Sequence, residues 1–218
     1  MKSVLQEHDA LLIKKYNGLV GLDEVGRGAL AGPVYTAACW IKPGFFQHLS
    51  NCSETADMRD SKKMTEKKRL EASLRLAQLK EAGQIDYRIA SASVEEIDRY
   101  NISGAILRAY DRSLQELLAV KERDRKPLIL VDGKPLKALS FQHRALIGGD
   151  DRSLVIAMAS ILAKVARDQW MEALDLDFPQ YQWKKNKGYG TLAHREGIQS
   201  HGCCKEHRTL FLRKILNK

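Results

Sequence analysis

The chain has 218 residues, of which 44% are apolar and 29% charged, a balance that excludes an intrinsically disordered protein and allows one domain with a sizeable core. Lys and Arg total 36 against 27 Asp and Glu, and the resulting net charge of +9 favours a polyanionic partner. The first residues lack the apolar core of a signal sequence and no uncharged run approaches the length of a membrane-spanning helix, so we expect a cytoplasmic protein that works away from membranes.

The first sixty residues predict two strands on either side of a glycine-rich turn. Residues 18–23 form an apolar run that leads into the turn, and residues 34–41 form a second run entered through a Gly-Pro pair. A short helix or an irregular segment is expected before them, over residues 5–16. The polar residues 51–60 predict a loop.

A helix is predicted next, over residues 65–82. Thr65 has the side chain of an N-cap and directly precedes the helical pattern. Leu70, Leu74 and Ala77 recur at helical spacing, so this pattern places them on the core-facing side.

The middle of the chain predicts one strand and two helices. The strand covers residues 85–90. Ser93 and Glu96 have the spacing of a capping box, which predicts a short helix through Ile97. The apolar side chains of residues 102–120 recur at amphipathic spacing and predict a longer helix.

The second half predicts strand–helix units. Residues 128–132 form a short apolar run that ends in an acid, which is typical of a strand buried on both faces in a parallel pairing. A further short strand is expected at 145–147, the strongest helix at 153–174, and a partly helical segment over 199–218. Because hairpin-like strands precede these units, the sequence predicts an α/β fold with a mixed central sheet flanked by helices.

Two acids, Asp23 and Asp132, each end an apolar run. An acid at the end of a buried strand is costly to desolvate unless it is paired or binds a cation, and the two meet at one sheet edge if their strands are neighbours. Asp150 could supply a third ligand there. Carboxylates without His or Cys favour Mg²⁺ or Mn²⁺ over zinc. Glu24 can join Asp23 only if the strand ends or bulges between them, since neighbouring strand residues point to opposite faces.

The glycine-rich turn has an alternative interpretation. Residues 26–31 match the dinucleotide-binding pattern G-x-G-x-x-A, which must open a helix. Here Gly32, Pro33 and a strand-like run follow instead, and no strand-ending acid lies at the required distance. The match is therefore interpreted as accidental.

The region after Pro179 is basic and aromatic. Lys184, Lys185 and Lys187 alternate with Trp183 and Tyr189, a pattern that favours a nucleic-acid surface, because lysines contact phosphates and rings stack on sugars or bases. Further along, a zinc cluster of His and Cys is not expected, because the two cysteines there are adjacent and lack the usual spacing.

Several motifs occur in the order in which they are found in one family. The sequence resembles the type 2 ribonucleases H, specifically bacterial ribonuclease HII, over about residues 17–211. The resemblance is carried by residues 21–34, 60–63, 96–102, 130–133, 149–150, 159–168 and 187–191. It implies an RNase H-like catalytic domain over residues 1–175 and a basic, partly helical C-terminal extension over 176–218, packed on the same domain.

The resemblance also implies an activity and its residues. The implied function is metal-dependent cleavage of the RNA strand of RNA–DNA hybrids and nicking 5′ of single ribonucleotides in duplex DNA by a monomer with Mg²⁺ or Mn²⁺, leaving 5′-phosphate and 3′-hydroxyl ends. The implied catalytic and metal-binding residues are Asp23, Glu24, Asp132 and Asp150. The implied substrate-binding residues are Gly26, Arg27, Gly28, Ser61, Lys62, Lys187 and Tyr189.

Two positions depart from the family pattern. Gly148 stands where a lysine usually precedes the Gly-Asp pair, which weakens local attraction for phosphate and leaves Asp151 as an alternative to Asp150. The spacing to Ser153 and its helix favours Asp150. Leu210 replaces a usual serine near the end of the chain.

Overall fold

The computed structural model describes residues 2–119 and 127–216, and the side chains of 213–216 lie outside that description. Five strands form one sheet in the order β3-β2-β1-β4-β5. Strands β1, β2 and β3 pair antiparallel, whereas β4 runs parallel to β1 and β5 parallel to β4. The strands are β1 Leu19–Val25, β2 Val34–Ile41, β3 Ile85–Ala92, β4 Leu128–Asp132 and β5 Arg144–Leu146. The predicted α/β fold with a mixed sheet is confirmed.

Helices cover both faces of this sheet. They are α1 Val4–Ile13, α2 Leu49–Glu54, α3 Glu66–Glu81, α4 Val94–Leu118, α5 Leu154–Asp175, α6 Trp183–Asn186, α7 Leu192–His201 and α8 Thr209–Leu216. Both predicted caps are present: the Thr65 hydroxyl accepts from the Lys68 amide, and Ser93 and Glu96 form a capping box. Over 2–119 and 127–216, no helix is long and apolar enough to cross a bilayer.

The predicted core face of α3 is wrong. Leu70 is 41% exposed and Leu74 67% exposed, whereas Ala72, Leu76 and Leu79 are buried. The helix carries two apolar stripes at helical spacing, and packing against α5 and β3 selects the second one.

The predicted loop over residues 51–60 is wrong in its first part, where α2 ends at Glu54. Its polar side chains have buried partners that a local pattern does not reveal. The Asn51 amide donates to the Phe45 carbonyl (3.0 Å), and the Gln6 amide of α1 donates to the Cys52 carbonyl (2.7 Å). These hydrogen bonds satisfy polar groups that are buried away from water.

Helix α4 contains both predicted helices of the middle region, separated by a break. Asn101 has φ 56° and ψ 169°, and its side-chain oxygen accepts from the amides of Ser103 and Gly104 (3.0 and 3.1 Å). The asparagine therefore ends the first segment and caps the second. The predicted last residue, Val120, lies outside the described residues.

The sheet separates two apolar layers. Leu19 of β1 packs in the layer that contains α5, whereas Val20 and Leu22 pack in the layer that contains α4. Strand β1 pairs regularly with β2 from Leu19 to Val25, without a bulge. Residues 23 and 24 therefore start from opposite faces, toward α5 and α4 respectively.

The segment after α5 packs on the glycine-rich turn. A third apolar cluster joins Leu30 and Ala31 of the turn to Met171, Tyr181, Trp183, Ile198 and Leu212. Trp183 is fully buried there, so its predicted place on a nucleic-acid surface is wrong. The ring lies 5.0 Å from that of Tyr181 in a stacked arrangement, which shows that this aromatic residue serves the core. The division into domains at residue 175 stays a prediction.

Two buried histidines, His194 and His207, lie beside this cluster, and they predict that the stability of the fold depends on pH. The Trp183 indole donates to His194 Nε2 (2.9 Å), which lies 3.1 Å from His207 Nε2. Burial, and then the neighbouring His194, lowers the pKa of His207 to about 4. Below pH 6.5 the unfolded chain binds a proton that the folded chain does not, so the free energy of unfolding should fall by about 3 kcal/mol between pH 7 and pH 4 on this account.

Thermal unfolding across that pH range measures this loss. His207→Gln should flatten the pH dependence, because the titrating group is gone, whereas His48→Gln at an exposed position should leave the slope unchanged. A wild-type slope in the His207 variant would assign the effect to other groups.

Candidate active site

The carboxyl ends of β1 and β4 bring the predicted acids to one edge of the sheet. The parallel pairing of these strands ends at Leu22 and Val131, so Asp23 and Asp132 follow directly on adjacent strands. The Gly149 amide donates to Asp132 Oδ1 (2.7 Å), which ties the turn that carries Asp150 to β4. The condition under which Asp23 and Asp132 meet, that their strands are neighbours, is therefore fulfilled.

Asp23 is buried, and none of the ion pairs among the described residues includes it. Its pKa is raised well above the usual value, chiefly by burial and further by the charges of Glu24 and Asp132, while a hydrogen bond from Ser160 opposes the rise. Ser160 in turn lies 2.9 Å from Ser61, oxygen to oxygen. Ser61 is thus buried and reaches Asp23 through Ser160, and a cation is what this carboxylate lacks.

Lys62 supplies positive charge to the same edge. Its ammonium lies 3.6 Å from Asp150 Oδ2 and 4.0 Å from Asp60 Oδ1, and its side chain is 71% exposed. Partial burial lowers the pKa of Lys62, but the surrounding acids, led by Asp23 and Asp60, raise it by more. Lys62 therefore stays charged and faces both the acids and the solvent.

The closest acids include Asp60, which the sequence analysis did not name as a metal ligand, and Asp151, which it named only as an alternative to Asp150. Within the described part of the chain, the group of acids whose carboxylate oxygens all lie within 4.8 Å of one another is Asp60, Asp150 and Asp151. Burial, and then the charge of Asp132, raises the pKa of Asp150. Asp60 caps a short turn by accepting from the Lys62 amide (2.9 Å), and its sequence signal was its place at the start of the motif at residues 60–63.

The expected end or bulge of the strand between Asp23 and Glu24 is wrong, because β1 continues in regular register through Val25. Glu24 instead points toward α4, where its Oε2 accepts from the Tyr110 hydroxyl (2.5 Å). Its Oε1 pairs with the Arg27 guanidinium (3.0 Å). The two neighbouring acids thus have separate supports on the two faces of the sheet, yet both line the same cleft at the strand end and the charge of Glu24 raises the pKa of Asp23, so no bulge is needed to bring them together.

The glycine-rich turn presents backbone close to these acids. Gly26 has φ 91°, and a Cβ built there would lie 2.2 Å from Arg167 Nε, so the position requires glycine for both conformation and space. Gly28 is exposed, and a Cβ there would meet nothing within 4 Å. The turn is therefore packed at its first glycine and open at its second.

Two buried arginines, to which sequence reasoning assigned no role, hold this turn. Arg208 donates to the carbonyls of Gly26 (2.7 Å), Gly32 (2.8 Å) and Arg27 (3.3 Å). Arg167 donates to the carbonyls of Pro33 (2.9 Å), Ala31 (3.2 Å) and Lys187 (2.8 Å). Burial, and then the Arg167 charge, lowers the pKa of Arg208 to about 9, so it remains largely protonated at neutral pH. In the sequence, the position of Arg167 within an apolar helical run was the signal that this arginine is buried and has a specific partner.

The second segment beside the turn carries Tyr189. The Leu30 amide donates to the Gly188 carbonyl (2.8 Å), and the Arg167 guanidinium lies 5.4 Å from the centre of the Tyr189 ring. Lys187 is directed elsewhere, because its ammonium pairs with Glu172 and its side chain is only 12% exposed. Its predicted contact with substrate requires that this pair open.

An open cleft of about 460 Å³ joins five of the predicted site residues, Asp23, Glu24, Ser61, Lys62 and Tyr189, whereas Asp132 and Asp150 are not in its lining. It is lined by Asp23, Glu24, Val25, Ser61, Lys62, Arg69, Ser160, Lys164 and Tyr189. A larger cavity of about 830 Å³ lies between α1 and the segment after β2 and contains none of the predicted site residues. The chemistry that the cleft offers is that of clustered carboxylates with one exposed lysine and an open backbone turn beside them.

Comparison with known proteins identifies the family. The family model described as Ribonuclease HII matches residues 20–214. The chain belongs to the ribonuclease HII family. It is 39% identical to the ribonuclease HII of Ehrlichia chaffeensis over 221 aligned positions, which cover 99% of this chain and 98% of that protein. It is 41% identical to the ribonuclease HII of Nostoc sp. over 197 positions, which cover 89% of this chain and 82% of that protein.

Solved structures share the fold. The ribonuclease H2 of Pyrococcus horikoshii superposes with a TM-score of 0.70 at 23% identity, covering 92% of this chain and 97% of that one. Bst-RNase HIII in complex with Mn²⁺ superposes with a TM-score of 0.69 at 17% identity, covering 96% and 73%. The predicted family and the predicted RNase H-like fold are confirmed.

Proposed function

We propose that this ribonuclease HII cleaves the RNA strand of RNA–DNA hybrids and nicks duplex DNA 5′ of single ribonucleotides, leaving 5′-phosphate and 3′-hydroxyl ends. The observation that carries the proposal is the buried Asp23 carboxylate, which lines a cleft together with the exposed Lys62 and lies on the strand next to that of Asp132. Such a cleft suits a polyanionic substrate whose cleavage needs cations between acid and phosphate.

The proposed metal ligands are Asp23, Glu24, Asp132 and Asp150. An all-oxygen donor set fits Mg²⁺ or Mn²⁺, and a structural relative was crystallised with Mn²⁺. When bound, such cations lower the pKa of water and stabilise the leaving oxygen of a phosphodiester. Asp60 and Asp151, which lie near Asp150, are further oxygen donors for the same region.

The chain's own groups then bind and orient the substrate. The exposed Gly28 backbone and Arg27 are proposed to meet the ribose 2′-hydroxyl, and Tyr189 the following deoxyribose. Lys62, whose exposed ammonium lies 3.6 Å from Asp150 Oδ2, would attract phosphate to the same edge. Asp150, with its raised pKa, is a suitable proton acceptor from the attacking water.

The proposal is tested on a labelled duplex that holds one ribonucleotide. Purified protein with Mn²⁺ should nick it 5′ of that ribonucleotide and should cleave the RNA of a hybrid, whereas without metal neither product should form. An all-DNA duplex of the same sequence serves as the control and should stay intact. Binding without any metal-dependent nick would indicate a nucleic-acid-binding module, and cleavage of the all-DNA duplex would indicate another nuclease of this fold. The monomeric state and the cytoplasmic location stay predictions.

A further inference from the structure

The carboxylate of Glu24 has two partners of different kinds. Oε2 accepts from the buried hydroxyl of Tyr110, whereas Oε1 pairs with Arg27, whose side chain is 55% exposed. We infer that Tyr110 is a positioning residue that fixes Glu24 so that Oε1 is the oxygen offered to a divalent cation. The inference rests on the proposed role of Glu24 as a metal ligand.

Tyr110 has little freedom to move. It lies in the second segment of α4, is fully buried, and belongs to the apolar layer that also contains Leu22 and Ala109. A ring packed on all sides places its hydroxyl at one point, and a hydrogen bond to a charged acceptor in such a setting is short and strong. The 2.5 Å distance to Oε2 agrees with this description.

Arg27 holds the other oxygen far less firmly. Ion pairs between exposed side chains contribute little, because water competes for both partners. The second guanidinium contact of Arg27, with Ser103, is long at 3.5 Å. A cation or a substrate can therefore displace Arg27 from Oε1, while Tyr110 keeps Oε2 in place.

Groups that orient a metal ligand affect how tightly the protein binds the metal. Their removal typically costs about 10- to 100-fold in metal affinity or activity. The other acids are oriented through the sheet edge: Asp23 by Ser160 and Asp132 by the Gly149 amide. Tyr110 supplies the corresponding support for Glu24 from the opposite face of the sheet.

The test is Mn²⁺ binding by Tyr110→Phe, followed from the electron paramagnetic resonance signal of free Mn²⁺. The variant keeps the ring and removes only the hydroxyl, so we expect an increase of about 10-fold in the dissociation constant for Mn²⁺. Tyr181→Phe is the matched control. Tyr181 is also buried, and its hydroxyl donates to the Gly202 carbonyl (2.8 Å) away from the acids, so its loss should leave Mn²⁺ affinity unchanged.

A double-mutant cycle with Glu24→Gln separates the possible outcomes. Tyr110→Phe should weaken Mn²⁺ binding in the wild-type background and have no further effect beside Glu24→Gln, which would establish that it acts through Glu24. An equal effect in both backgrounds, or wild-type affinity in Tyr110→Phe while Glu24→Gln weakens binding, would overturn this inference alone. Unchanged Mn²⁺ binding and cleavage in Glu24→Gln would instead remove Glu24 from the metal site, and with it both this inference and that part of the proposed function.

Discussion

Asp132→Asn should lower the rate of nicking at a single ribonucleotide by about 1,000-fold, the upper end of what loss of one group that stabilises developing charge costs. The asparagine keeps a side-chain oxygen that can accept from the Gly149 amide, so the turn that carries Asp150 stays tied to β4. It removes a charge that raises the pKa of both Asp23 and Asp150, which relieves repulsion in the metal-free protein. The unfolding temperature without metal should therefore stay the same or rise.

Three measurements check this prediction: nicking with Mn²⁺, duplex affinity at fixed salt, and thermal unfolding with and without metal. Asp57→Asn is the charge-matched control, because Asp57 is exposed, pairs with Arg75 and does not line the cleft. It should keep full activity. Near-normal turnover in Asp132→Asn would contradict the assignment of the metal site.

Arg208→Met should destabilise the protein by about 3–5 kcal/mol, because each buried carbonyl that loses its donor costs about 1–3 kcal/mol. Methionine fills part of the space but leaves the carbonyls of Gly26, Arg27 and Gly32 without their donor. For a chain of this size, that loss corresponds to a fall of roughly 10 °C in the unfolding temperature. Nicking at a single ribonucleotide should also weaken, because the turn that presents Gly28 loses its support.

The readouts are thermal unfolding and nicking measured well below both unfolding temperatures. Arg195→Met, at an exposed position of α7, is the control that removes an arginine without touching the turn. An unchanged unfolding temperature in Arg208→Met would show that the three carbonyls find other donors. Lost stability with full nicking activity would separate the arginine from the function of the turn.

The strands that carry the acids could be predicted from the sequence because their signals are local. Residues 18–23 and 128–132 are apolar runs with clear ends, and each ends close to an acid. That the two strands are neighbours was only a condition in the sequence analysis, because a local apolar run suggests parallel pairing but does not say with which strand. The resemblance to the ribonuclease HII family was inferred from the order of several motifs along the chain, because no single motif is specific enough.

The features of the site that the sequence did not predict depend on contacts between residues that are far apart in the chain. Tyr110 meets Glu24 across 86 positions, and Arg208 meets Gly26 across 182, so no local pattern could relate them. Trp183 looked like a surface ring because its neighbours are lysines, but the sequence does not show the aromatic cluster that buries it. The core face of α3 could not be chosen from two stripes of similar apolar content.

The support of the glycine-rich turn has a consequence for the synthesis of the protein. The carbonyls of Gly26 and Gly32 near the start of the chain are bound by Arg208 near its end, and the Gly32 amide donates to the Glu206 carbonyl (2.8 Å). A nascent chain on the ribosome would already contain all four proposed metal ligands while this support was still missing. The glycine-rich turn would therefore be the last part of the proposed active site to mature, after residues 206–208 leave the exit tunnel.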